Sequence, residues 1–397
     1  MNNSILSKED LYFLPREKAF DFITRIPGEP EMTPFESSYL CGIIKKYKPK
    51  KIVEIGVAAG ATTAVIMQCL NEIAYDTDIE LFSVDLFKEY YRNKSGEAKQ
   101  TGFLADEYLK KCDCKNICYR KFLGNLLCEV INEIGSDIDL VILDTVHQLP
   151  GEVLDFLCIL PYVSDSCFVV FHDVTLSLNL NCSVRDCIPT ILSFVASNSL
   201  SKQVPFFDNS DGSVPNIAAI KLNKDCIKNV EEFFYCFLFP WSYLPNEEEI
   251  TKYRQFYAEF YSADLVQIFI EGYKANRKWI QNFNETKWNL FAEKLINRLN
   301  PSYETNVSIY GSGELCDSLI KKLLSLNIRV QRIFVTHMTD SNSMISDYKD
   351  IPIVEFSENY VIDGDVILVA SIGSAFDIRE YITSKISDNR NYKIINL

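Results

Sequence analysis

Five side chains that can bind, charge or deprotonate a ligand stand where apolar runs end. The run Asp139-Leu-Val-Ile-Leu finishes in Asp144, with His147 three residues on; the run Cys167-Phe-Val-Val-Phe finishes in His172 and Asp173. The chain holds only three histidines, so two of them beside acids at strand ends form a pattern. An imidazole titrates near neutrality and suits general-base work. Paired carboxylates can hold a divalent cation. The fifth side chain, Asp85, ends the run Glu80-Leu-Phe-Ser-Val, 25 residues after Gly60. An acid at the end of a second strand takes the two hydroxyls of a ribose.

A ribose needs a cradle, and Ile52-Val-Glu-Ile-Gly-Val-Ala-Ala-Gly-Ala-Thr-Thr63 supplies the pattern of one. A buried strand leads into a turn bracketed by Gly56 and Gly60, and a helix capped by Thr62 follows. Glycine lets backbone amides approach a ligand closely. A dinucleotide loop would carry glycine at two further positions, and Ala58 and Ala61 occupy them. Glu54, at the strand end, repels a pyrophosphate and suits an ammonium. S-adenosylmethionine (SAM), with its sulfonium, amino acid head and adenosine, therefore fits better than NAD.

Strands alternate with helices around these residues, which predicts an open α/β sheet whose ligands lie beyond the carboxyl ends of the strands. Residues 1–50 read as helical and peripheral, with Pro30 and Pro34 punctuating a loop. Thr33-Pro34-Phe35-Glu36 starts a helix beside the site, with Thr33 as cap and an acid three residues on. The tyrosine-rich stretch 88–115 is expected to cover the site. Ile117–Phe122 reads as a third strand, after which Gly124 and Asn125 are placed to meet an adenine. A helix from Gly151 to Leu160 joins the two acid-ended strands, and Pro215–Leu222, after the loop Asp208–Ser213, is expected at the sheet edge.

Taken in order, Val-Glu-Ile-Gly-x-x-x-Gly-x-Thr-Thr, Ser-Val-Asp, Leu-Asp-x-x-His and Phe-His-Asp resemble the class I SAM-dependent methyltransferases. The nearest group is the small-molecule O-methyltransferases acting on sugars and macrolide sugars, and the resemblance covers residues 33–222. It implies a Rossmann-like doubly wound sheet, with Glu54, Gly56, Ala58, Gly60, Thr62, Asp85, Gly124, Asn125 and Asp144 toward SAM. It also implies Mg²⁺ between Asp144 and Asp173, and His147 or His172 as base beside Asp144. That group usually has glycine after the fourth-strand acid, where this chain has Thr145.

Residues 225–300 change character, with a helix starting at Asn246 and aromatic stripes Tyr253, Phe256, Tyr257, Phe260 and Trp288, Phe291, Leu295, Leu299. Such stripes predict helix seams. After Asn300-Pro301-Ser302 the strand–glycine–helix pattern restarts at Asn306–Tyr310, Gly311 and Gly313, giving a smaller α/β domain. It resembles the Rossmann-like modules of sugar- and polysaccharide-modifying proteins. Cys316 replaces the third glycine of a dinucleotide loop there, and no acid ends the second strand. The expected segments are therefore 1–224, 225–300 and 301–397.

A net charge of −14 and a pI near 4.9 argue against nucleic acid as partner. Neither a signal peptide nor a membrane span is read, and 13 scattered cysteines suggest a reduced, cytoplasmic setting. Cys112, Cys114 and Cys118 lack a fourth ligand for zinc. A small, sugar-like acceptor in carbohydrate biosynthesis and a homo-oligomer are the expected partners. The alternatives are an NAD-dependent oxidoreductase and a non-catalytic scaffold for polysaccharide assembly.

Overall fold

The computed structural model describes residues 5–14, 32–73, 78–93, 97–112, 114–175, 196–197, 200–205, 216–222, 230–299, 306–337, 351–362, 364–371, 375–386 and 391–396. The chain divides into two compact units, Met1–Ile280 and Gln281–Leu397. The first is built on β1 (Lys51–Ile55), β2 (Ile79–Asp85), β3 (Ile117–Leu123), β4 (Ile138–Leu143), β5 (Val163–His172), β6 (Ser201–Gln203) and β7 (Ile217–Lys221). Their order across the sheet is β3-β2-β1-β4-β5-β7-β6. β7 alone runs antiparallel to β5, and β6 pairs antiparallel with β7. The chain thus steps outward from β1 to β3, then returns to β4 on the other side of β1. That reversal opens a crevice at the carboxyl ends of β1 and β4.

The central strands are apolar on both faces because helices cover both. α1 (Pro34–Tyr47), α2 (Ala61–Ile73) and α3 (Phe103–Lys111) lie on one face, where Leu40, Ile44, Ile66 and Leu70 pack against Ile52, Leu81 and Leu140. α4 (Leu127–Ile134) and α5 (Gly151–Ile159) cover the other, where Val130, Ile131, Val153 and Phe156 meet Val53, Val141 and Phe171. The Thr33 hydroxyl accepts from the Glu36 N–H at 3.2 Å and Glu36 reaches back to the Thr33 N–H at 2.7 Å, so the start of α1 is a reciprocal cap.

α6 (Glu247–Phe260) belongs to this unit. The Tyr257 and Tyr261 hydroxyls donate to the Leu154 and Leu157 carbonyls at 2.9 and 2.5 Å, and the Tyr253 hydroxyl lies 3.3 Å from the Asp155 carboxylate. Spacing by one helical turn lets tyrosines of one side stitch α6 to α5 while their rings fill the seam. Phe260 is 40% exposed and packs edge-on against Tyr162.

The second unit has a five-stranded parallel sheet in the order β10-β9-β8-β11-β12, with β8 at Val307–Tyr310, β9 at Val330–Val335, β10 at Ile353–Glu355, β11 at Asp365–Val369 and β12 at Tyr392–Ile395. Phe291, Leu295 and Leu299 share a core with Val307, Leu319 and Val366. Among the described residues no helix is long and apolar enough to cross a membrane.

Two expectations change. The strand at 217–221 is not at the edge: β6 lies outside it, a three-residue polar strand without any apolar run to announce it. Thr62 does not cap its helix, because α2 already begins at Ala61 and Thr62 sits buried inside the first turn. The loop Asp208–Ser213, Pro30 and the Asn300–Ser302 boundary lie outside the described residues.

Tyr257→Phe is expected to lower the unfolding free energy by about 1 kcal/mol, by removing one hydrogen bond to the Leu154 carbonyl while keeping the ring. Urea titration against the wild type reads the difference.

Candidate active site

The glycine loop leaves β1 with Gly56, Ala58 and Gly60 all at positive φ, of 86°, 47° and 85°. Gly56 is obligatory: a Cβ there would stand 1.9 Å from the Asp144 carbonyl oxygen. A Cβ on Gly60 would stand 2.8 Å from the Gly102 Cα, at the start of α3. The loop is held from below by Asp85, whose Oδ2 accepts from the Val57 and Ala58 N–H groups at 2.9 and 3.1 Å. Its Oδ1 accepts from the Phe87 N–H at 2.8 Å. Gly124 donates its N–H to the Asp85 carbonyl at 2.8 Å, which sets Gly124 and Asn125 beside Asp85. The Lys88 side chain lies across Gly124, where a Cβ would come within 2.5 Å of its Cε. Thr101 and Gly102 tie the stretch after β2 back to Lys88 and Ala58, and α3 follows, so part of the expected cover is fastened to the loop.

Glu54 does not face the open side of this loop. It is fully buried, and Oε2 accepts hydrogen bonds from the Thr63 and Ser83 hydroxyls. Direct contact between Glu54 and a ligand ammonium is therefore corrected: the carboxylate fastens the first turn of α2 to β2, because its strand position turns it inward. The Thr62 hydroxyl, one residue before Thr63, is buried without a hydrogen-bond partner.

At the ends of β4 and β5 the two acid–histidine pairs converge. His147 Nε2 lies 3.3 Å from Asp144 Oδ1 and 2.9 Å from Asp173 Oδ2. His172 Nδ1 lies 3.2 Å from the same Asp144 oxygen and 3.6 Å from Asp173 Oδ1. His147 and Asp173 adopt left-handed φ values of 50° and 60°, which local hydrogen bonding must sustain. Among the described residues, Asp144, His147 and Asp173 are the group able to hold a metal ion, with donor atoms within 4.8 Å of one another. Two carboxylates suit Mg²⁺, while a nitrogen donor also suits softer divalent ions.

The two rings are not poised near neutrality. Burial works against charge on His147, yet hydrogen bonds and charge from Asp144 and Asp173 outweigh it and push its pKa up to about 10. Burial likewise opposes charge on His172, which Asp144 and Glu36 hold well above the usual value. Asp144, against its burial, is held below the usual carboxylate range by both rings. The surrounding carboxylates thus favour the charged form of each ring.

Two members of the site gave no functional signal in the sequence. Glu36, read as a capping acid, also stands 3.7 Å from His172 Nε2. Asn216, just before β7, donates its side-chain amide to Asp173. A capping box explains Glu36 fully in one dimension, and an asparagine in a loop is unremarkable until the strand order brings it to β5.

The family described as a methyltransferase domain matches residues 53–174. Residues 53–174 form a methyltransferase domain. The span starts in β1 and ends just past Asp173, so it takes in the glycine loop, Asp85 and both acid–histidine pairs. The match favours a methyltransferase over the oxidoreductase alternative for the first glycine loop. No curated protein matches the chain. Solved structures similar to it include an SAH-bound methyltransferase from Podospora anserina, with 17% identity, 54% of this chain and 90% of that one covered, and a TM-score of 0.36. An O-methyltransferase from Bacillus cereus in complex with SAH shares 14% identity over 54% of this chain and 92% of that one, with a TM-score of 0.37. The O-methyltransferase TomG from Streptomyces achromogenes, solved with SAM, shares 12% identity over 55% and 91%, with a TM-score of 0.36.

The methyltransferase domain yields two predictions. Glu54→Gln keeps an acceptor for Thr63 and Ser83 and is expected to cost under about 1 kcal/mol, whereas Glu54→Ala should cost about 2–4 kcal/mol by stranding both hydroxyls. Equal losses in denaturant titrations would show that the charge itself is required. The second concerns pH. Because the pKa of His147 rises on folding from 6.5 to about 10, its contribution is complete below about 6.5 and is lost as pH climbs through 10. The melting-temperature gap between wild type and His147→Gln should therefore narrow from pH 6.5 to 10; a constant gap would contradict the ion pairing.

Proposed function

We propose that the chain transfers a methyl group from SAM to a hydroxyl of a small molecule, a sugar or nucleotide-linked sugar. The observation that carries this is the junction of two features at one crevice: Gly56 of the glycine loop touches the backbone of Asp144, and Asp144 belongs to the acid–histidine cluster. A donor cradle and a proton-handling centre then sit at neighbouring strand ends. The sugar class rests on the resemblance of residues 33–222 to sugar-modifying O-methyltransferases.

Residue by residue, Gly56, Ala58 and Gly60 expose loop amides, and the unpartnered Thr62 hydroxyl offers a donor to an amino acid carboxylate. Asp85 already accepts three N–H bonds, and the lone pair left on Oδ1 can take a ribose hydroxyl. Gly124 and Asn125 border the adenine. When bound, SAM supplies an electrophilic methyl on a sulfonium, and a divalent cation at Asp144 and Asp173 would lower the pKa of an acceptor hydroxyl. The transfer is an in-line displacement in which the C–O bond forms as the C–S bond breaks, so most of the domain's task is alignment. His147 is the better base: it is 17% exposed, against 7% for His172, which is enclosed by Asp144 and Glu36. Its proton is retained only while both carboxylates face it, and engaging those oxygens frees the ring to accept the acceptor's proton.

Calorimetric titration with SAM, with and without Mg²⁺, is expected to give micromolar binding, about 8 kcal/mol. Asp85→Ala should weaken that binding at least tenfold (about 1.4 kcal/mol). Asp173→Ala should leave it nearly intact and abolish transfer in a screen of nucleotide sugars. Absence of SAM binding under both conditions would point instead to a non-catalytic scaffold.

A further inference from the structure

Asn216 uses nearly all of its hydrogen-bonding capacity at one spot. Its backbone N–H donates to Glu36 Oε1 at 3.0 Å and its carbonyl accepts from the Val174 N–H at 3.4 Å. Its side-chain oxygen accepts from both the N–H and the hydroxyl of Thr175 at 2.7 Å, and its side-chain nitrogen donates to Asp173 Oδ1. Asp173 is thereby gripped on both oxygens, by Asn216 on Oδ1 and by His147 on Oδ2 at 2.9 Å. Without such a grip, an aspartate at φ 60° would have little to hold its carboxylate in one direction.

Glu36 is fixed in the same manner. Oε1 takes the Asn216 N–H, Oε2 takes the Thr33 N–H at 2.7 Å, and the same Oε2 faces His172 Nε2 at 3.7 Å. The contacts close a ring that runs Asp144, His172, Glu36, Asn216, Asp173, His147 and back to Asp144. Its members come from the start of α1, the ends of β4 and β5, and the approach to β7. Glu36 and Asn216 both lie outside residues 53–174.

We propose that Asn216 and Glu36 are positioning residues of the methyl-transfer site: Asn216 aims the Asp173 carboxylate at His147, and Glu36 locks His172 against Asp144. The functional meaning rests on the reading above; the geometric content does not. Asn216→Asp is the discriminating variant. It keeps the oxygen that holds Thr175 but replaces the donor facing Asp173 with a second carboxylate, so a role confined to the Thr175 turn would survive it.

The experiment is ¹⁵N NMR of histidine-labelled full chain at one fixed neutral pH, without SAM or metal, since each ring nitrogen reports its own partner. Asn216→Asp should displace the His147 signals and leave those of His337, in the second unit, unchanged. SAM affinity should stay within about threefold of wild type, whatever melting temperature is lost to the second carboxylate beside Asp173. Glu36→Gln should displace His172 more than His147, and it decides the matter should Asn216→Asp fail to fold. Wild-type His147 signals in Asn216→Asp, or unmoved His172 signals in Glu36→Gln, would overturn the proposal. Failure of the wild type to bind SAM would sink the donor assignment alone, because the histidine spectra are recorded without it.

Discussion

The contact on which the rest depends is the meeting of Gly56 with the Asp144 carbonyl at the carboxyl ends of β1 and β4. These strands are neighbours with opposite destinations: β1 leads outward to β2 and β3, and β4 leads to β5 and β7. Their ends can approach only because position 56 has no side chain; any Cβ would lie 1.9 Å from the carbonyl oxygen. Close approach brings the glycine loop next to the acids and imidazoles at the ends of β4 and β5. A wider separation would leave a cradle and a charge cluster with no shared substrate.

Charge is the second constraint. Two imidazoles buried together would ordinarily be neutral, since desolvation penalises their cations. Here Glu36, Asp144 and Asp173 surround them, and the ion pairs outweigh burial. Breaking one side of such a cluster leaves a buried charge uncompensated, which costs far more than the intact pair contributes. The ring of contacts is therefore a unit, and α1 and β7 are parts of the site rather than coverings for it.

Much of the fold was legible in the sequence. The central strands are near-continuous apolar runs because both their faces are covered, and the caps at Thr33 and Asn246 announce their helices through the acid three residues later. The Tyr253–Tyr257 stripe correctly marked a seam, because helical periodicity puts those rings on one face. What failed had no one-dimensional signal. β6 is three residues long and polar, so β7 looked like an edge. Glu54 was read toward a ligand because alternation along a strand does not say which buried partner waits on each face, and Thr63 and Ser83 were waiting.

The sequence by itself determined the chemistry on offer: a glycine turn, an acid ending the second strand, and histidines paired with acids at strand ends. Local backbone preferences and side-chain types are enough for that. Only the tertiary structure decided who faces whom. It turned Glu54 inward and took up Asp85 with the loop amides. It raised the histidines far above neutrality, and it drew in Glu36 and Asn216, which stand 180 residues apart in the chain. Those outcomes depend on strand order and on which charges share a low-dielectric crevice, and neither is written in any local stretch.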